Sequence, residues 1–262
     1  MLGYSRGMEQ LIEQFEHFFE IIPAEAPDLV LASQRLRYQV FCRETEIFDA
    51  HGFAGELESD PFDTRSVHTV LRHKSSGIVT GTVRLVLADP VDPSAHFPTE
   101  SLGVLRREER DAIWRVPRTR LGEISRFAIS KEFRRRRHEA HIVHGITEEA
   151  LTADGHRSGR LCPHISLGLI KAVFHMSWAH GVTHWYAAME PSLLRLLERM
   201  GIHFVRIGSL VDYFGRRQPC IAEVSDVLAG IAERQPAVWR FITEDAPPAW
   251  RVPGDSSKNA AA

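Results

Sequence analysis

The 262-residue chain has little cysteine, little lysine, no long apolar run and no excess of basic charge. Each shortage excludes something. Three cysteines, Cys42, Cys162 and Cys220, stand far apart with no C-x-x-C pair. That argues against a disulfide framework and a cysteine zinc site, and fits a reducing compartment. No apolar stretch approaches the ~20 residues of a membrane span. Acidic residues interrupt the apolar pattern of the first twenty positions, so a secretory leader is not expected. With 32 Lys and Arg against 34 Asp and Glu the net charge is −2, which leaves no global field to draw in nucleic acid. Only Lys74, Lys131, Lys171 and Lys258 are lysine. No P-loop appears, and no G-x-G-x-x-G follows a strand. The expectation is a cytoplasmic globular protein.

What is present reads as alternating strands and helices. Residues 8–20 carry Leu11, Ile12, Phe15, Phe18 and Phe19 at helical spacing, and 19–23 follow as a strand. Asp28 is placed to cap a helix running to Phe41. Residues 51–62 are Gly-rich and acidic, a loop. Residues 67–72 and 78–87 form a hairpin around Lys74-Ser75-Ser76-Gly77. A helix over 101–113 and a strand over 123–129 come next. Residues 134–162 are read as an insertion or lid. Pro163 opens a helix to Trp178, 183–189 is a strand, 193–200 a helix, 202–207 and 218–224 strands, and 227–242 one last helix. Residues 253–262 read as a flexible tail. The pattern predicts an α/β fold with a mixed sheet.

The sharpest local feature is Glu58-Ser59-Asp60-Pro61-Phe62-Asp63, three carboxylates within six residues. Carboxylates this close repel unless solvated or paired with cations. Arg37, Arg84 and Arg126 each interrupt an apolar or structured segment, and an Arg on a buried face needs a carboxylate partner. Glu123 lies on the same predicted strand as Arg126. These seven are expected to meet around one cleft. A regular pleat sends residues three apart to opposite faces, so a shared site requires an extra residue in that strand.

Arg37-Tyr38-Gln39-Val40-Phe41, Glu58-x-Asp60-x-x-Asp63, Gly81-Thr82-Val83-Arg84-Leu85 and Glu123-Ile124-Ser125-Arg126-Phe127 resemble, in order, the signature of the acyl-homoserine lactone synthases. Those are GNAT-fold acyltransferases that take a fatty acyl group from acyl carrier protein. The aromatic this family keeps before its acidic cluster has Phe48 as its nearest counterpart here. Four further strings resemble the PEP-CTERM/exosortase system-associated acyltransferases, relatives of the N-acyl amino acid synthases. They begin at Ser66-Val67-His68, Pro163-His164-Ile165, His184-Trp185-Tyr186 and Gly215-Arg216-Arg217. The resemblance implies one bacterial GNAT-like domain over 1–252, a three-layer sandwich with a central mixed, mostly antiparallel sheet flanked by helices.

It implies an N-acyltransferase moving a long-chain acyl group from an acyl-carrier thioester, or acyl-CoA, to the amine of an amino acid or similar small molecule. No bound cofactor and no metal are implied. Glu58, Glu123 and Arg126 are the expected catalytic residues, with both glutamates candidate bases for the acceptor's ammonium. Arg37, Phe41, Asp60, Asp63 and Arg84 are the expected substrate-binding set. Lys131 with Arg134, Arg135, Arg136 and Arg137 forms a basic run suited to an acidic carrier protein and its phosphate. Contact with membrane lipids is expected only through the product. Two other readings stay open. One is an autoinducer synthase using S-adenosylmethionine, and the other a non-catalytic acyl-carrier-binding module.

Overall fold

A computed structural model describes residues 2–133 and 162–251. The chain divides into two compact units, Met1–Leu87 with Ile124–Met176, and Ala88–Glu123 with Ser177–Ala262. The insertion read over 134–162 and the tail after 252 lie almost wholly outside the described residues.

The first unit opens with α1 (Leu2–Phe18), β1 (Phe19–Pro23) and α2 (Pro27–Tyr38). Helix α2 starts at Pro27 behind Ala26, not at an Asp28 cap. Proline's locked φ suits a first helical position, where no N–H is needed. From Gln39 to Glu44 the helix widens to a π turn, closed by the Thr45 amide donating to the Val40 carbonyl at 3.1 Å. The acidic stretch after it is a series of short 3-10 turns rather than plain loop, the last over Pro61–Arg65.

Strands β2 (Ser66–His73) and β3 (Val79–Leu87) form the expected hairpin, with Gly77 at φ +71 in the turn. The sheet order in this unit is β1-β2-β3-β4, where β4 spans Leu121–Ile129. Period-two alternation sorts β3 cleanly. On one face Thr82 Oγ1 donates to the Thr69 carbonyl at 3.0 Å and sits 2.7 Å from Ser33 Oγ on α2. Arg84 is on that face too. On the other face is Gly81, where an added Cβ would lie 3.2 Å from Ile165 and 3.4 Å from Leu169. Both residues belong to α5 (Cys162–Ala179).

In the second unit β4 pairs in parallel with β5 (His184–Met189), and β5 pairs antiparallel with β8 (Arg216–Glu223). The short β6 (Val205–Arg206) and β7 (Val211–Asp212) both pair with β8. The helices here are α3 (Pro98–Ser101), α4 (Arg107–Ile113), α6 (Pro191–Arg199), α7 (Val224–Arg234) and α8 (Pro236–Thr243). Three expectations are corrected. Residues 101–113 are not one helix, because Gly103 at φ +68 ends α3 before α4 begins. The strand expected over 202–207 shrinks to two residues. The single helix expected over 227–242 breaks at Pro236, which has no N–H to continue the helical ladder.

Two glycines make a close backbone contact in this unit. Gly201, at φ +84, ends α6 and lies against Gly230 in α7. A Cβ on Gly230 would sit 2.1 Å from the Gly201 carbonyl oxygen. Gly230→Ala should gain about 1 kcal/mol of helix propensity and lose about 1–3 kcal/mol to the overlap. Because the opposing atom is backbone, the overlap is expected to win, and the urea midpoint should fall. A rise would show that the two helices separate without cost.

Candidate functional site

Six of the seven charged residues singled out in the sequence converge in the first unit. Arg37, on the last turn of α2, donates from Nε to Glu58, and from Nη1 and Nη2 to the two oxygens of Asp63 at 2.7 and 3.0 Å. Arg84, on β3, reaches Asp60 with Nη1 and Nη2 at 2.7 and 3.0 Å, Asp63 with Nη1 at 2.8 Å, and Ser125 Oγ with Nε at 2.9 Å. Arg126, on β4, grips Glu58 with Nε at 3.0 Å and Nη2 at 2.9 Å, and Asp60 with Nη2 at 2.8 Å. Local geometry presents the acids. Asp60 caps the turn Pro61–Arg65 by accepting from the Phe62 amide, and Asp63 accepts from the Asp60 amide.

The result is a neutral set of three guanidiniums and three carboxylates. Arg37, Glu58 and Arg84 are buried. Burial opposes ionisation of Asp63, but hydrogen bonds and charge from Arg37, with the charge of Arg84, hold its carboxyl far below the usual range. Glu58 and Asp60 are lowered for the same reasons, against burial, chiefly by Arg126 and Arg37 for Glu58 and by Arg84 for Asp60. Burial also works against Arg37, yet Asp63 and Glu58 raise its pKa. Arg37 and the three carboxylates are therefore charged at neutral pH.

The interruption expected in β4 is present and falls at Arg126, whose φ is +52 inside the strand. Its consequence is visible in the neighbours. Ser125 and Arg126 are consecutive, and both side chains reach the same network. A regular pleat forbids that. Beneath the guanidinium, Phe48 and Phe41 lie 4.9 and 5.9 Å from the Arg126 carbon. Phe41 belongs to a buried cluster with Leu36, Val40 and Ala128, and Phe48 packs against it.

The seventh residue, Glu123, belongs to the second unit. There it is buried, and its Oε2 accepts from the Thr99 amide at 2.8 Å. Of the basic run, Lys131 is exposed and its amide donates to Glu44 at 3.0 Å, while Arg134 to Arg137 lie outside the described residues. His141 and His144, a histidine pair three residues apart, lie outside them too.

Two participants were not weighed from sequence. Ser125 carries Arg84 Nε. His68 is buried opposite Arg84 in the hairpin register, with Nε2 3.5 Å from Asp63 Oδ1 and Nδ1 without a hydrogen-bond partner among the described residues. Burial and the charge of Arg37 lower its pKa to about 4, against the pull of Asp63. The alternation of β2 and β3, read together, was a signal for His68. Nucleophiles fare poorly among the described residues. Burial and the nearby charge of Glu58 push the Cys42 thiol up to about 11, and Cys220 is pushed further by burial. Gly3-Tyr4-Ser5-Arg6-Gly7 has G-x-S-x-G spacing, but it lies within α1 and not at a strand-to-helix turn.

Residues 36–144 match the family model described as an acetyltransferase (GNAT) domain. The fold is GNAT. Among solved structures, TofI in a ternary complex with an inhibitor and MTA superposes with a TM-score of 0.53 at 20% identity, covering 84% of this chain and 99% of its own. FeeM, an N-acyl amino acid synthase from uncultured soil microbes, gives 0.53 at 15% identity, covering 83% and 97%. The CoA-dependent acyl-homoserine lactone synthase BjaI with MTA gives 0.53 at 15% identity, covering 87% and 88%. No curated protein sequence matches the chain. The expected α/β class holds, with antiparallel pairs dominating and the β4–β5 pair parallel. No described helix is long and apolar enough to cross a membrane.

Proposed function

We propose that the protein transfers a long-chain fatty acyl group from an acyl-carrier thioester to the amine of an amino acid or similar small molecule. It would do so in the cytoplasm, as an N-acyltransferase of the exosortase-associated kind. The observation that carries the reading is the left-handed residue inside β4 at Arg126, set in a buried neutral charge network. A break of this kind frees backbone donors from the ladder, and such donors can hold a thioester carbonyl oxygen as charge develops on it. The high thiol pKa values of Cys42 and Cys220 favour direct attack over an acyl-cysteine intermediate.

In the proposed step the acceptor's ammonium first gives its proton to a base. The amine nitrogen then attacks the carbonyl carbon. A C–N bond forms, the nitrogen gives up its second proton, the C–S bond breaks, and the sulfur leaves as a thiolate that takes up that proton. Glu58 is held ionised by two guanidiniums, so its part in the proposal is to fix Arg37 and Arg126. Glu123 is the proposed proton acceptor on its sequence position. The basic run from Lys131 to Arg137 is proposed to dock an acyl carrier protein.

Thiol release from palmitoyl-acyl carrier protein and palmitoyl-CoA should be measured with each of the twenty amino acids and with S-adenosylmethionine, with products identified by mass spectrometry. N-acyl amino acids are the expected products, with the carrier thioester preferred and that preference weakened by salt. An acyl-homoserine lactone product would instead establish the autoinducer synthase reading. No thiol release from any combination would overturn the enzyme reading.

A further inference from the structure

A second polar assembly lies wholly within the second unit, and its centre is Glu100. The four-residue helix α3 starts at Pro98 and is closed by Glu100 itself, whose Oε2 accepts from the Phe97 amide at 2.8 Å. The same carboxylate takes both arms of the Arg118 fork, Nη2 at 2.9 Å, and the Tyr186 hydroxyl at 2.9 Å. Arg118 also donates from Nη2 to the Ala95 carbonyl at 2.8 Å and lies over the Phe97 ring at 4.8 Å. Three segments distant in sequence therefore end on one side chain. Burial opposes ionisation of Glu100, but Arg118 overrides it and holds the carboxyl below the usual range. Tyr186 is fully buried, and burial with the charge of Glu100 keeps its phenol protonated.

Glu123 is bracketed by what Glu100 holds. The residue just before Glu100 is Thr99, and its amide is the donor to Glu123 Oε2 at 2.8 Å. Tyr186 is the register partner of Glu123 in the β4–β5 pair, so both side chains leave the sheet on one face. Resting on the reading above, in which Glu123 takes the acceptor's proton, we propose that Glu100 is a positioning residue for Glu123. It closes the turn that aims the Thr99 amide and keeps Tyr186 engaged beside the base. A single helical turn has too few backbone bonds to fix that amide by itself. Glu100 supplies the missing constraint through Phe97, Arg118 and Tyr186. An amide held on one carboxylate oxygen fixes the direction of the group and favours its charged form. The titratable groups around Glu123 are Tyr186 on β5 and Cys220 on β8, both raised first by burial and in part by the Glu123 charge. Neither is charged at neutral pH. Glu100 and Arg118 stand behind Tyr186 as a pair.

The test keeps charge and changes reach. E100D shortens the arm by one methylene and stays anionic. It is assayed with palmitoyl-acyl carrier protein and whichever amino acid turns over fastest. We expect kcat to fall about tenfold to a hundredfold, KM to stay within about twofold, and the acidic limb of kcat to move up by about one pH unit. If E100D does not fold, Y186F keeps the ring, drops one anchor and should move the limb the same way by a smaller amount. A lower kcat with the limb in place, or moved down, would show a structural role only and overturn the proposal. If no thiol is released from any combination, or E123Q keeps wild-type kcat, the proton-acceptor reading fails by itself. Carbon-13 NMR of the glutamate carboxyls then decides the positioning alone, with the Glu123 signal assigned by its loss in E123Q. A higher Glu123 midpoint in E100D or Y186F than in wild type supports it, and an unchanged or lower midpoint overturns it.

Discussion

Arg37→Leu is expected to cost about 3–5 kcal/mol of folding stability, because it strips a buried network of one charge and leaves its partners in place. Glu58 and Asp63 keep Arg126 and Arg84 respectively, but three carboxylates would then face two guanidiniums in a site that water barely reaches. The leucine fills much of the volume, so packing loss is a minor part of the effect. A surface pair sets the scale for comparison. Arg43 and Glu56 lie 3.1 Å apart but are 60% and 69% exposed. Arg43→Leu should change stability by about 0.5 kcal/mol or less. Urea unfolding of both variants reads the difference directly. A second step separates charge from contact. Arg37→Leu with Asp63→Leu restores a balance of two against two and should recover part of the loss. Equal small losses for Arg37→Leu and Arg43→Leu would mean that the network is hydrated and the burial argument is wrong.

Acidification is expected to unfold the protein in two stages. The first belongs to His68. In the folded protein its pKa is about 4, below the ordinary 6.5. The unfolded chain therefore binds the proton first as pH falls. The stability associated with neutral His68 is complete above about pH 6.5 and lost progressively towards pH 4. The loss amounts to about 3 kcal/mol. Its surroundings explain the direction. Burial, Arg37 from α2 and Arg84 across the hairpin oppose the proton, and Asp63 and Asp60 favour it without prevailing. The second stage belongs to Asp63, Asp60 and Glu58, whose folded pKa values are lowered. Their contribution is present above the ordinary carboxylate range and disappears as pH falls through the lowered values. Urea midpoints measured from pH 7.5 to pH 3 should show the first stage and the onset of the second. In His68→Asn the slope between pH 6.5 and 4 should flatten while the second stage stays. His184, also lowered by burial, adds to the first stage and is unaffected by that variant. Parallel curves for wild type and His68→Asn would refute the assignment.

The charged set was legible because of where its members stand. An arginine between Leu36 and Tyr38, or between Val83 and Leu85, interrupts a continuous apolar run, the mark of a segment covered on both faces, so its charge needs an opposite. Glu58, Asp60 and Asp63 are the nearest surplus of that opposite charge. The β2–β3 hairpin was legible for a similarly local reason, a glycine-containing turn between two alternating runs. Helix ends and short strands were harder. Pro236 and Gly103 were visible as residues, but apolar spacing on both sides suggested continuity. The missing proline N–H and the glycine's left-handed φ decided otherwise.

Composition and alternation were enough to determine the α/β class, the resemblance carried by the ordered charged blocks implied the GNAT fold, and charge in apolar settings pointed to seven residues, of which six neutralise one another. Those are matters of local pattern and of charge that has to be paired. Which guanidinium takes which carboxylate depends on distances of a few tenths of an ångström between residues as far apart as Glu58 and Arg126. The left-handed backbone at Arg126 also has no counterpart in its side-chain chemistry, since arginine has no preference for that conformation. Only the packing of β3, β4 and α2 around a shared set of carboxylates holds it there, and that packing is a property of the folded chain.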